Sequence, residues 1–454
     1  MPMILLMTTA PPITSPWGVP GKLPPLGLAF VAASLEKAGY QAAILDNYNL
    51  KKPIEEVKQE LKRLKPEIVG ITCGSVTYRR CIETAQAVKE VLPSCKVVVG
   101  GWQPTYMPES LLEYPEIDYL VMGEGEQAMV QLANSLTKEK KSDIAKIPGV
   151  AYRNNGEIVK TAPTFLQELD QIPFPARHLL PMDIYDRIIP YLDASPVDTM
   201  NVIRGCPYHC AYCETKKLWG PTCRAFSPQR VAAEIEHLVQ NFGSRGVYFV
   251  GDNFTINKKR TIKLCNLMKE KKLDIKWVCD TRVDQISRDL LKEMKSAGCQ
   301  TIWFGVESGS AQILEKLNKK ITLEQISHAF KLCKQEGIQL ACSFMVGIPG
   351  ETVEDMNATF KFARKLDPDW CQFNTYVAVP GSKLYDEIME NGLYDRVEDF
   401  VTYVKTDEFD YESVSKIQNR FHMTFNRSPR RILKKIRKEG FFSTLGKGFK
   451  YITH

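Results

Sequence analysis

Arg204-Gly-Cys206-Pro-Tyr-His-Cys210-Ala-Tyr-Cys213 sets three cysteines inside eight residues. Thiolates at that spacing can wrap one corner of a [4Fe–4S] cube, holding three irons and leaving the fourth without a protein ligand. A structural cluster is normally closed by a fourth thiolate, so an open iron points to chemistry. The alternative is zinc with His209 or Cys223 as fourth ligand, but zinc sites more often come as two CxxC-type pairs. The stretch follows a strand pattern at 199–203, which puts the cysteines on the loop at that strand's carboxyl end.

Outward from there, strand patterns recur at 247–250, 276–279, 301–304, 339–346 and 371–377, separated by helical spacing. Six βα units suit a partial parallel barrel over 196–392, with its active site at the strand carboxyl ends. Earlier, candidate strands at 3–7, 42–45, 67–71, 96–99 and 119–122 alternate with helical patterns at 26–38, 53–64, 78–91, 108–113 and 127–136. That alternation indicates an α/β domain over 1–140, an open parallel (Rossmann-like) sheet with helices on both faces. Such sheets bind ligands at their strand carboxyl ends. The loops there are small or glycine-rich: Thr72-Cys-Gly74-Ser75, Gly100-Gly101-Trp102 and Gly123-Glu124-Gly125-Glu126. Residues 123–128 spell G-x-G-x-x-A, yet a dinucleotide site is rejected. The loop follows the fifth strand, and its two glutamates would repel a pyrophosphate. Between sheet and barrel, 141–195 carries a hairpin about Asn154-Asn-Gly156 and a proline-rich linker. A small, mostly helical region is expected over 393–454.

The 454 residues are 44% hydrophobic and 25% charged, which excludes disordered, collagen-like and disulfide-scaffold classes. The first ten residues do not read as a signal peptide, and the longest apolar stretch, 26–35, is too short to span a bilayer. Thirteen scattered cysteines suggest reduced thiols and a cytoplasmic enzyme. Net charge is +7, but 426–454 holds nine Lys or Arg and one Glu, so the remaining chain is close to neutral. With Ile432, Leu433, Ile436 and the aromatic Phe441, Phe442, Phe449 and Tyr451, the segment 427–454 fits a peripheral membrane contact. A solvated basic helix docked on the body is the equal alternative. No basic patch occurs elsewhere, so no nucleic-acid partner is expected.

The C-x3-C-x2-C triplet, with Tyr212 before its last cysteine, resembles the radical S-adenosylmethionine (radical SAM) superfamily over roughly 198–386. Three further motifs carry the resemblance: Val250-Gly251-Asp252-Asn253, Phe304-Gly-Val-Glu307-Ser308-Gly309 and Met345-Val-Gly347-Ile-Pro349-Gly350. The resemblance implies that Cys206, Cys210 and Cys213 ligate the cluster. It implies that Tyr212, Gly251, Asp252, Glu307, Ser308, Gly347 and Pro349 contact SAM, with Arg282 forking its carboxylate. An electron from a flavodoxin- or ferredoxin-type donor would then release a 5′-deoxyadenosyl radical.

An open α/β domain before such a barrel resembles the cobalamin-binding modules of the cobalamin-dependent radical SAM class. The matching features are Pro24-Pro25-Leu26-Gly27 and the three loops above. The resemblance places cobalamin against Thr72, Gly74, Ser75, Gly100, Gly101, Trp102, Gly123, Glu124 and Gly125. None of the six histidines precedes His178, so this domain supplies no histidine below the cobalt. Transfer-RNA methylthiotransferases, which hold a second cluster on three cysteines, are disfavoured because Cys73, Cys81 and Cys95 are badly placed to share one. The implied function is C-methylation of an unactivated carbon of a lipid, peptide or small molecule. Ring formation, rearrangement or carbon–carbon coupling is the alternative, and a non-catalytic cofactor- or lipid-binding protein the third reading.

Overall fold

Met3–Thr8 is buried almost throughout, as expected of a strand covered on both faces. In the computed structural model, which describes residues 3–10, 23–137, 143–428 and 431, it is β1. It lies between β2 (Gln41–Asp46) and β3 (Ile68–Thr72), and the sheet continues through β4 (Lys96–Gly100) and β5 (Tyr119–Val121), all parallel. The order 2-1-3-4-5 reverses between β1 and β3, which opens a crevice at their carboxyl ends. Two cores cover the sheet: Val57, Leu61, Cys81 and Val88 on one side, Leu28, Leu35, Met129 and Leu132 on the other. Each such large side chain removed from water contributes about 1.5–3 kcal/mol.

The predicted hairpin is present as β6 (Val150–Asn154) and β7 (Glu157–Lys160). It does not stand apart in the linker; β6 pairs antiparallel with β5 and extends the sheet to seven strands.

The chain enters the barrel at β8 (Val197–Asn201). A short antiparallel pair, β9 (Ile203–Arg204) with β10 (Arg224–Ala225), follows. The barrel then adds β11 (Gly246–Val250), β12 (Lys276–Thr281), β13 (Cys299–Glu307), β14 (Gln339–Val346) and β15 (Trp370–Thr375). The six strands pair in parallel in the order β8-β11-β12-β13-β14-β15. Their outer faces pack Phe249, Trp277, Phe304 and Phe344 against the surrounding helices.

Beyond β15, the sequence reading placed no strands, yet β16 (Val377–Ala378), β17 (Tyr394–Glu398) and β18 (Val401–Val404) form a small antiparallel sheet. Three of the five β17 residues are charged and four are exposed, so it lacks the apolar alternation that marks a strand. The helix Tyr411–Asn426 then packs Val414, Phe421 and Phe425 onto the barrel.

The basic tail begins committed to the body. Arg431 is buried, with Nη1 on Asp367 at 3.1 Å and Nη2 on the carbonyls of Pro368 and Asp369 at 2.6 and 2.8 Å. Its guanidinium also stacks 4.2 Å from the Phe425 ring centre. Residues 432–454, which carry most of the expected membrane-facing segment, lie outside the described residues. Among the described residues no helix is long and apolar enough to cross a membrane.

Candidate active site at the sheet–barrel junction

The β9–β10 pair closes the base of a loop, 205–223, that carries all three cysteines of the triplet. Gly205 opens it at φ +88°, and a Cβ there would collide with the Thr222 carbonyl. Only glycine fits that crossing. The loop is pinned at several points: Cys213 N to Cys210 O at 3.2 Å, Ala211 N to Leu317 O at 2.9 Å and Asn318 Nδ2 to His209 O at 2.6 Å. Burial pushes the Cys206 thiol up to about 11, and the charges of Cys213 and Cys210 push the same way. Binding a cluster must release the thiol protons. His209 is exposed with its ring against Lys216 Nζ, so it faces away from the role of fourth zinc ligand. Among the described residues no three thiols, imidazoles or carboxylates already converge as a metal site, yet three partly exposed thiols on one anchored loop are the donor chemistry that an iron–sulfur cluster takes.

The residues expected to touch SAM ring this loop, and most are tied to the protein itself. Asp252 Oδ2 accepts from Gly205 N at 3.0 Å and Oδ1 from Thr215 Oγ1 at 3.2 Å. It thus clasps the chain on both sides of the cysteines, and burial raises its carboxyl. Gly251 immediately precedes it, against Ile203 O.

Arg282 differs most from expectation. Asp284 takes Nε and Nη2 at 3.0 Å each, so the fork meant for the SAM carboxylate is occupied by a neighbour in the same turn. Nη1 points at Cys210 Sγ, 4.0 Å away, and the guanidinium stacks 3.7 Å from the Tyr208 ring centre.

Glu307 and Tyr212 are brought together, Tyr212 Oη donating to Glu307 Oε1 at 2.8 Å. Lys319, which the sequence reading missed, completes the knot at 2.9 Å from Glu307 and 2.8 Å from Tyr212. It sits in a turn between two helices with no spacing that marks it. Ser308 is fully buried, its hydroxyl 3.1 Å from Thr359 Oγ1. The turn after β14 is also self-held. Gly347 N and Ile348 N both donate to Glu351 Oε2, at 2.7 and 3.1 Å, with Pro349 buried beside them.

The expected cobalamin residues divide. Thr72, Gly74, Ser75, Gly100, Gly101 and Trp102 gather at the carboxyl ends of adjacent β3 and β4. Gly101, at φ +102°, lets its backbone approach Cys73 O and Thr72 Oγ1, where a Cβ would stand 2.9 Å from each. Open space lies beside Gly74, and Trp102 is 57% exposed. Small residues lining a crevice, with an aromatic face at its rim, fit a flat macrocycle. Gly123 stays at the same strand ends, its N–H on Thr105 Oγ1 at 2.9 Å and that hydroxyl on Gly101 O at 2.7 Å, whereas Glu124 and Gly125 turn away from them. Gly123 faces Pro163 and Phe165, and Gly125 faces Val31.

Glu124 faces the barrel. Its Oε1 accepts from Arg204 Nη1 at 3.1 Å and Arg224 Nη1 at 2.8 Å, while Glu126 takes Arg204 Nη2 at 2.5 Å. All four side chains are buried. The guanidinium of Arg204, next in sequence to the cysteine loop, also lies over Phe30 and Trp219. The reason is charge. Two guanidiniums flanking the loop base need anions, and the glutamates judged unfit for a pyrophosphate supply them. Beside this junction the helix Trp102–Tyr106 packs on the helix Thr215–Trp219, and Tyr106 Oη comes within 3.5 Å of Glu214 O. The crevice and the cysteine loop therefore share one border. Cys73 and Cys81 adjoin each other in the core and Cys95 is buried beside Lys89 and Asp118, an arrangement unlike a second cluster site.

Known proteins share this two-domain organisation. Residues 200–363 match the radical SAM superfamily and residues 18–133 the B12 binding domain. An uncharacterised methyltransferase of Pyrococcus horikoshii is 34% identical over 91% of this chain and 90% of its own. The anaerobic magnesium-protoporphyrin IX monomethyl ester cyclase of Rubrivivax gelatinosus is 32% identical over 82% of this chain and 67% of its own. The cobalamin-dependent S-adenosylmethionine radical enzyme OxsB, solved with aqua-cobalamin and S-adenosylmethionine bound, shares the fold. Its TM-score is 0.78 at 17% identity, over 100% of this chain and 71% of that one.

Proposed function

The chain belongs to the cobalamin-dependent radical SAM enzymes, and from that premise we propose that it moves a methyl group onto an unactivated carbon. The supporting observation is the shared border between the loops after β3 and β4 and the cysteine loop, through Tyr106 and Glu214. A methyl carrier and a radical source must both reach one substrate carbon, and positioning is what the protein contributes. When bound, the cluster and SAM supply a hydrogen-abstracting radical and cobalamin supplies the methyl group. Cys206, Cys210 and Cys213 hold the cluster. Asp252 fixes the loop that carries them, and the Tyr212–Glu307–Lys319 knot stiffens its flank.

Anaerobic turnover of the reconstituted protein with cell extract tests this, quantifying 5′-deoxyadenosine and S-adenosylhomocysteine with and without cobalamin. Both products, the second requiring cobalamin, support methyl transfer. 5′-Deoxyadenosine alone favours ring formation or coupling, the reading for which the 32% identity to a cyclase speaks. Delivery to a membrane lipid through 427–454 is the narrower variant. It expects pelleting with anionic vesicles that is lost when 432–454 are removed.

A further inference from the structure

Residues paired in register on parallel strands point to the same face, which separates the barrel's inner face from its outer one. Thr199, Tyr248, Val278 and Thr301 are in register, as are Asp280, Trp303, Ala341 and Trp370. The lower end is plugged from the linker. Val197 and Val278 pack with Ile189 and Leu192. Tyr191 lies across the strands, its ring centre 6.1 Å from Tyr248, 5.0 Å from Trp303 and 6.4 Å from Trp370. Above the plug, Asn201, Asp280, Trp303, Ser343, Met345 and Asn374 are all partly accessible, while outward neighbours such as Phe304 and Phe344 are buried. The lumen is open at that level, beneath the cysteine loop.

Its chemistry is distinctive. Asp280 presents a carboxylate whose two oxygens lie 3.0 and 2.8 Å from Tyr248 Oη. Among the described residues no Lys, Arg or His forms an ion pair with it. Burial, with Asp252 above adding to it, lifts this carboxyl to about 7. A half-buried carboxyl with one hydroxyl donor and no basic partner is held ionised once a cation sits beside it, and aromatic faces around it attract the same charge. A hydrocarbon would leave it stranded.

We propose that Asp280, steadied by Tyr248 above the Tyr191–Trp303–Trp370 floor, anchors the substrate through a cationic nitrogen group. This rests on the radical SAM reading of the barrel, and it makes the substrate a polar amine or amidine instead of a hydrocarbon lipid. Cell extract is split into an organic extract, a cation-exchange-retained fraction and a flow-through, and each is added to the reconstituted holoenzyme with SAM. The readout is 5′-deoxyadenosine above the level without extract, so it holds whether or not methyl transfer follows. Methyl label from SAM is followed separately and judges the methyltransferase reading alone. The retained fraction is expected to stimulate; stimulation only by the organic or flow-through fraction, or by none, overturns the proposal. With the retained fraction, Asp280→Asn is expected to lose at least about 20-fold of the stimulation at wild-type cluster absorbance, and Asp280→Glu to recover part of it. Where Asp280→Asn fails to load the cluster, Tyr248→Phe decides. It is expected to raise the half-stimulating amount severalfold at an unchanged plateau, and an unchanged half-stimulating amount overturns the proposal.

Discussion

The crevice edge formed by the loops after β3 and β4 and the barrel rim are both built at the carboxyl ends of parallel strands, yet they are made in opposite ways. In the crevice the backbone and small side chains do the shaping, as at Gly101, where a Cβ would stand 2.9 Å from two neighbours. At the rim, charged side chains do it, and each is already tied: Asp252 to Gly205 and Thr215, Arg282 to Asp284, Glu307 to Tyr212 and Lys319. The crevice leaves room for a ligand. The rim holds a loop still. A flat macrocycle needs space, whereas a reactive centre needs a fixed position.

Substitutions that hit one region alone should separate the two most sharply. Cys210→Ala is expected to reduce SAM cleavage to background by 5′-deoxyadenosine assay, while cobalamin still co-elutes on gel filtration. Gly101→Val is the converse. At φ +102° it adds strain of about 1–3 kcal/mol and fills the crevice floor, so cobalamin co-elution should fall about tenfold with cluster absorbance retained. If either variant loses both cofactors, the two regions are not separable.

Glu124→Gln strikes between them. Removing one partner of a buried ion pair costs about 3–5 kcal/mol, so both the chemical denaturation midpoint and cluster loading should drop. A midpoint within error of wild type would show the junction to be dispensable.

Glu351 offers a pH-dependent test at the rim. It is fully buried and its carboxyl is raised from 4.5 to about 7, chiefly by burial. Below about 4.5 it is protonated whether folded or not. Between 4.5 and 7 the unfolded chain ionises first, so stability falls as pH rises and levels off above 7. Glu351→Gln should abolish that slope, gaining on the order of 3 kcal/mol over wild type at pH 7.5 relative to pH 4.5. Parallel pH profiles for the two proteins would reject it.

The smallest effect is expected at Arg431→Ala, which frees the start of the tail. It should lower the Tm by a few degrees and speed proteolysis after residue 428. An unchanged cleavage rate would mean the anchor carries no weight.

Much of this architecture is legible in the residues alone, where local pattern and tertiary role coincide. The helix Tyr78–Val91 and strand β14 fall where their periodicity puts them, because each buries one regular face. The cysteine triplet is legible because ligand spacing is local. What escaped is set by partners far along the chain. Glu124 and Glu126 look like a poor phosphate loop until Arg204 and Arg224, some 80 and 100 residues on, supply their countercharge. Lys319 has no pattern of its own and gains meaning only beside Glu307. The fork of Arg282 was expected to meet a ligand because nothing in spacing shows that Asp284 turns back onto it.

The glutamate–arginine junction bears on how such proteins can be taken apart. Four buried charges are divided evenly between two domains, so neither half is electrically complete without the other. A barrel expressed alone would carry Arg204 and Arg224 bare at the foot of its cysteine loop, and the free sheet domain would carry two naked carboxylates. Grafting either module of this chain onto a foreign partner would therefore have to supply the matching pair of charges along with it.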